Sequence, residues 1–91
     1  MTDAAPTYSV YIVRCADRSL YCGIAIDLTA RLTEHNSSRR GARYTKSRRP
    51  VALVYSAPCG NRSEALKREI QIKKLSRAAK QRLIEDALVA Q

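Results

Sequence analysis

VYIVRCADRSLYCGIAIDLTARLTEH, residues 10–35, is the stretch around which the rest of the chain is arranged. Two apolar runs flank the polar break Ala16-Asp17-Arg18-Ser19, and they predict a β-hairpin over residues 8–24 with one tyrosine on each arm, Tyr11 and Tyr21. Gly23 is expected to end the second arm, where a missing side chain lets the backbone turn and approach a phosphate closely. Asp27 is placed to cap a helix from about Leu28 to Asn36. On that helix Arg31 and His35 are spaced i, i+4, so they project from one face, roughly 40° apart around the axis. Two phenols, a permanent cation and a titratable imidazole in so short a stretch are the ingredients of a site for phosphate chemistry.

Outward from this stretch, the next segment is basic. Arg39, Arg40, Arg43, Lys46, Arg48 and Arg49 lie within residues 39–49, and no acid occurs from His35 through Arg62. A solvated loop is the plain reading of such a run. Tyr44 among the cations and the proximity to Arg31 and His35 favour a polyanion track that neutralises phosphates by counterion release. A membrane surface would attract the same charge, but residues 37–49 lack the broad apolar face of a membrane-lying helix.

Pro50-Val-Ala-Leu-Val-Tyr55 reads as a third strand entered through a proline, and residues 57–60 as a turn. Asn61-Arg62-Ser63-Glu64 has the form of a capping box opening a helix to about Leu75. There Ala65, Glu69 and Ile72 share one face, flanked by Leu66 and Ile70, which leaves Glu69 along an apolar stripe. A carboxylate aimed at a protein body is costly unless paired or bound to a metal. Ser76 can cap a last helix, residues 77–89, with Ala79, Leu83 and Ala87 on one side.

The chain of 91 residues is 45% hydrophobic, which predicts one domain, residues 8–89, behind a flexible N-terminus, residues 1–7. Seventeen Lys/Arg against eight Asp/Glu give a net charge of +9, which points to nucleic acid as the partner. No apolar run approaches a membrane span, and the first seven residues do not read as a signal peptide, so a cytoplasmic location is expected. Three cysteines, Cys15, Cys22 and Cys59, fit idle thiols there. A metal site from these three and His35 is arithmetically open, yet no Cys-x-x-Cys pair is present.

Val10-Tyr11-Ile12, then Tyr21-Cys22-Gly23 ten residues on, then Arg31 and His35, resemble the GIY-YIG nuclease superfamily. More narrowly, residues 8 to about 83 resemble its small single-domain bacterial branch, through Gly-Ala-Arg-Tyr-Thr-Lys-Ser-Arg-Arg-Pro at 41–50 and Glu-Ala-Leu-Lys-Arg-Glu at 64–69. Each motif is short; five in order are specific. Ser9 stands near where the first motif often has glycine, and Cys22 replaces the usual isoleucine or threonine.

The resemblance implies an α+β fold: a small three-stranded sheet, mixed or antiparallel, flanked by helices. It also implies hydrolysis of DNA phosphodiester bonds, with Glu69 as ligand to a single Mg²⁺ or Mn²⁺ ion and Tyr11 as general base. Asp27 is committed to capping, so one carboxylate rather than a cluster is on offer, in keeping with one hydrated ion. The plain reading of Glu69 is a salt bridge at the core edge. Arg31 would clamp the scissile phosphate. A free phenol has a pKa of about 10, so Tyr11 needs nearby cations to act as a base. Tyr21 would hold the water or a phosphate oxygen, and His35 would assist with protons or orient a phosphate. Both tyrosines also suit strands and cores.

The expected function is a metal-dependent endonuclease of low sequence specificity acting in DNA repair or on structured or single-stranded DNA. DNA is preferred to RNA, and a protein partner supplies target choice. The rival is a non-catalytic nucleic-acid-binding module; a protein-interaction adaptor has only the basic surface in its favour.

Overall fold

The computed structural model describes residues 6–89. Its middle layer is a three-stranded antiparallel sheet of β1 (Ser9–Arg14), β2 (Leu20–Ala25) and β3 (Ala52–Pro58), in the order β2-β1-β3. Helices α1 (Leu28–Ser37), α2 (Arg43–Lys46), α3 (Arg62–Lys73) and α4 (Arg77–Val89) complete it. The fold is α+β with an antiparallel sheet. No helix among the described residues is long and apolar enough to cross a membrane. Residues 1–5, most of the expected flexible N-terminus, lie outside the described residues.

β1 is paired on both edges and helices pack on both of its faces, so Val10, Tyr11, Ile12 and Val13 are all buried. Strand alternation sorts them. Val10 and Ile12 join Cys22, Ile72 of α3 and Ile84 of α4 on one face. Tyr11 and Val13 join Cys15 and Val51 on the other, against Leu28 and Leu32 of α1.

The helix starts follow the caps. Asp27 Oδ1 accepts from the Ala30 amide at 3.0 Å, Asn61 Oδ1 from the Glu64 amide at 2.9 Å, and Ser76 Oγ from the Ala79 amide at 3.1 Å. Asn36 fastens α1 to the start of β3, donating to the Val51 carbonyl at 3.0 Å and accepting from its amide at 2.7 Å.

Observed and expected details differ in places. β3 runs three residues past Tyr55, because Ala57 and Pro58 pair with Val10 and Ser9. A proline is tolerated there because β3 is an edge strand. The turn narrows to Cys59-Gly60, with Gly60 at φ 77. α4 buries Ile84 most deeply, with Ala79, Leu83 and Ala87 only half-covered beside it. Finally, the basic run contains a helix, α2, which has too few apolar residues to show a period.

Gly23 does not end β2 but lies inside it, opposite Tyr11. Its glycine is needed for space. A Cβ there would stand 2.6 Å from the Tyr11 hydroxyl and 2.8 Å from the ring carbon bearing it. Gly23→Ala should therefore cost about 1–3 kcal/mol in urea denaturation, as overpacking does. Combined with Tyr11→Phe, which removes the nearest atom, the loss should be less than the sum of the two single losses. Unchanged stability of Gly23→Ala would mean that the phenol has room to move.

Candidate active site

Tyr11 and Tyr21 come from neighbouring strands and meet His35 on the α1 face of the sheet. The His35 ring lies 5.8 Å from that of Tyr11 and 5.4 Å from that of Tyr21, edge-on to the latter. His35 is 1% exposed and Tyr11 2%. A buried imidazole must satisfy both nitrogens. Nε2 lies 2.7 Å from the Tyr11 hydroxyl and Nδ1 2.9 Å from Thr45 Oγ1. Thr45 Oγ1 donates to the Ala42 carbonyl at 2.8 Å. Its proton is thereby used, so it accepts from Nδ1–H, and Nε2 accepts from the Tyr11 hydroxyl. The Ala42 amide points at Nδ1 from the longer distance of 3.3 Å and would donate to it only in the other tautomer. We assign this tautomer from the bond network.

The surroundings keep the imidazole neutral. Burial, with the Arg31 and Arg49 cations nearby, brings the His35 pKa down to about 4. Tyr11 needs nearby cations to act as a base, and at rest burial outweighs their help. Burial raises its phenol above the ordinary value, and the opposing pull of Arg31 only reduces the rise.

Arg31 is half-buried and engaged: Nη1 donates to Glu34 Oε1 at 3.1 Å and to the Arg40 carbonyl at 2.8 Å. Tyr21 stacks on Tyr44 at 5.8 Å between centroids, and the Arg48 guanidinium lies 3.9 Å over the Tyr44 ring. The Tyr44 ring thus has Tyr21 and Arg48 as neighbours and is still 38% exposed.

The structure divides the basic run. Arg49 caps the end of α1, donating to the carbonyls of Glu34, His35 and Ser38. Arg48 donates to Asp17 at 3.1 Å and to the Tyr44 carbonyl at 2.8 Å. These two of the expected phosphate contacts are struts. Arg39, Arg40, Arg43 and Lys46 are exposed.

Glu69 is not gathered with the tyrosines and His35. It stands on α3, across the sheet, 3.4 Å from Lys73 and close enough to the buried Cys22 to help burial push that thiol up to about 11. The two sides communicate around the β2 edge, where Tyr21 and Tyr44 line a cleft of about 160 Å³ with Cys22, Lys73 and Lys80. Among the described residues no group of three or more His, Cys, Asp or Glu could hold a metal, which removes the three-cysteine reading. Glu69 offers one hard oxygen donor group, 16% exposed, and its Lys73 partner is 52% exposed. That donor set fits one largely hydrated Mg²⁺ or Mn²⁺. Thr45 escaped the sequence reading; its only signal was its place in the motif at 41–50.

The buried imidazole has a measurable consequence. In the unfolded chain His35 protonates near the ordinary 6.5, in the folded chain only near 4. The unfolded state therefore binds more protons between these values. Stability from this group is complete above 6.5 and is lost as pH falls toward 4, by up to ~3 kcal/mol. Urea denaturation at pH 7 and pH 4.5 should show a steeper loss for the native protein than for His35→Asn. Parallel pH dependences would contradict the buried neutral ring.

Residues 7–82 match the GIY-YIG catalytic domain family. A UPF0213 protein of Desulfotalea psychrophila is 58% identical over 80 residues, covering 88% of this chain and 73% of that protein. A UPF0213 protein of Syntrophus aciditrophicus is 54% identical over 76 residues, 84% of this chain and 87% of its own. The solution NMR structure of the UPF0213 protein from Bacillus halodurans has a TM-score of 0.56 at 37% identity, covering 87% of this chain and 83% of that one. The solution NMR structure of a protein from E. faecalis has a TM-score of 0.64 at 34% identity, covering 97% and 93%. A match over most of the length, in a three-stranded sheet that carries both motif tyrosines, means that this chain belongs to the GIY-YIG catalytic domain family.

Proposed function

We propose that this protein is a metal-dependent endonuclease that hydrolyses DNA phosphodiester bonds with low sequence specificity, on structured or single-stranded DNA as in repair. The observation that carries the reading is the hydrogen-bonded chain from Tyr11 through His35 to Thr45, next to Arg31. A phenol with a raised pKa is not ionised at neutral pH. Its oxygen can still take a proton from an attacking water while its own proton passes to Nε2 of the neutral His35. The new P–O bond then forms as the bond to the leaving oxygen breaks. Tyr11 is thus a relay, His35 the temporary acceptor, and Thr45 holds the imidazole in register through Nδ1–H.

Arg31 would exchange the Arg40 carbonyl for a phosphate oxygen and carry the charge that grows there. Tyr21 would hold the water or a phosphate oxygen. Bound Mg²⁺ or Mn²⁺ would supply Lewis-acid stabilisation of the phosphoryl oxygens, with Glu69 as its protein ligand. Arg39, Arg40, Arg43 and Lys46 would hold backbone phosphates, which carry no base information directly. Target choice would then fall to a protein partner. We place the protein in the cytoplasm, where the unpaired Cys15, Cys22 and Cys59 suit a reducing setting. The rival, a binding module without catalysis, has the burial of Tyr11 in its favour.

Cleavage of a panel of single-stranded, flapped and branched DNA, with and without Mg²⁺ or Mn²⁺, tests both readings. Tyr11→Phe should lower turnover by about 10²-fold or more, as loss of proton transfer does, with affinity little changed. Glu69→Ala should abolish metal-dependent cleavage and keep binding. Arg31→Lys should not restore full rate, because a point charge cannot copy the guanidinium fork. Salt-sensitive binding with no cleavage under any metal would favour the binding module. Unimpaired nicking by Glu69→Ala would end the single-metal assignment.

A further inference from the structure

Away from the tyrosines and His35, three arginines converge on one cleft. Arg14 at the end of β1, Arg18 in the β1–β2 turn, and Arg77 and Gln81 of α4 line a space of about 420 Å³. The positions are built. Arg14 Nη2 donates to Gln81 Oε1 at 3.3 Å, and Arg77 Nη2 donates to the Arg18 carbonyl at 2.7 Å. Arg18 adopts a left-handed φ of 69, in a turn held by its amide's bond to the Cys15 carbonyl at 2.9 Å. No carboxylate lines the cleft. Glu85, one turn along α4, is reached by Gln81 Nε2 at 3.5 Å, and Asp17 is occupied by Ser19 and Arg48. Three guanidinium groups without a counter-charge repel one another, and an oxyanion with several acceptor oxygens relieves that repulsion while accepting forked hydrogen bonds.

The same turn joins this cleft to the basic run. On one side the Ala16 amide donates to the Arg48 carbonyl at 2.9 Å and Asp17 pairs with Arg48 at 3.1 Å. On the other side Arg77 holds Arg18. The hairpin turn therefore lies between Arg48, near the end of the basic run, and the arginine cleft. Lys73 and Lys80, which line the cleft at the β2 edge, add charge on the α3/α4 side.

We propose that the Arg14–Arg18–Arg77 cleft binds a backbone phosphate of the nucleic acid. The strand would run from the basic segment over the β1–β2 turn and onto α4. The inference rests on the nuclease reading for its ligand and assigns that ligand a second anchor, on the opposite face of the sheet from His35.

The test measures affinity of the full chain for a fluorescent branched DNA across a salt series. Combining Arg14→Gln, Arg18→Gln and Arg77→Gln should reduce the slope of log affinity against log salt by about 0.9, the value for the one phosphate the cleft holds. Lysine at the same three positions should keep the slope, and Arg62→Gln with Lys67→Gln on exposed α3 should leave it unchanged. Circular dichroism melts establish that the variants are folded. DNA binding with an unaltered slope in the glutamine triple, or an equal drop in the α3 control, would overturn the proposal and leave the nuclease reading standing. Inorganic phosphate, titrated against the arginine Nε–H signals by NMR, provides the second arm. If native protein binds no DNA, the nuclease reading has failed and the second anchor with it. Saturable phosphate shifts at Arg14, Arg18 and Arg77 would then mark the cleft as a site for free phosphate.

Discussion

A neutral imidazole sealed between a sheet and two helices is the constraint on which this molecule's organisation depends. Leaving either nitrogen of His35 unpaired would cost about 1–3 kcal/mol, so a phenol must come from β1 and a hydroxyl from α2. Among the described residues no buried side-chain nitrogen or oxygen lacks a partner. The demand propagates. The Tyr11 hydroxyl reaches Nε2 only over bare backbone at Gly23, and Gly41 is equally confined, since a Cβ there would meet the Glu34 carbonyl at 2.6 Å and the His35 Cα at 3.0 Å. Two of the three glycines thus serve one imidazole.

The same constraint organises the charge. Thr45 brings α2 down onto His35, and Arg49 and Arg48 lock the flanking chain by donating to backbone and to Asp17. Their neighbours Arg39, Arg40, Arg43 and Lys46 are carried outward. The cation run is therefore two kinds of residue in succession, exposed cations at 39–46 and scaffold struts at 48 and 49. Arg31 is held by Glu34 and the Arg40 carbonyl, and under the proposed function it would exchange the carbonyl for a phosphate.

The hairpin, the third strand and the caps at Asp27, Asn61 and Ser76 were legible because each depends on local chemistry or on a run of strand-forming residues. The extension of β3 to Pro58 was not, because strand pairing with Ser9 and Val10 overrode the turn propensity of a proline. The site residues were legible as types in order, but not as geometry. Arg31 and His35 share a helix face by spacing, yet spacing could not tell that one imidazole nitrogen faces Tyr11 and the other Thr45. Nor could it tell which arginines of a basic run are struts, since that depends on carbonyls brought close only in the fold. Glu69 was expected along an apolar stripe and is found there, on the far side of the sheet from His35. This separation makes the β2 edge the route by which the two halves would share a substrate.

The most direct test of this account is the protonation state of His35, read by long-range ¹H–¹⁵N NMR correlation of the imidazole between pH 7.5 and pH 5. The account predicts one neutral tautomer throughout, protonated at Nδ1 and bare at Nε2, with Nε2 responding when Tyr11→Phe removes its donor. An imidazolium appearing near pH 6.5, or a neutral ring protonated at Nε2, would contradict it: the phenol could not pass its proton to that nitrogen, and the relay assigned to Tyr11 and His35 would have no acceptor.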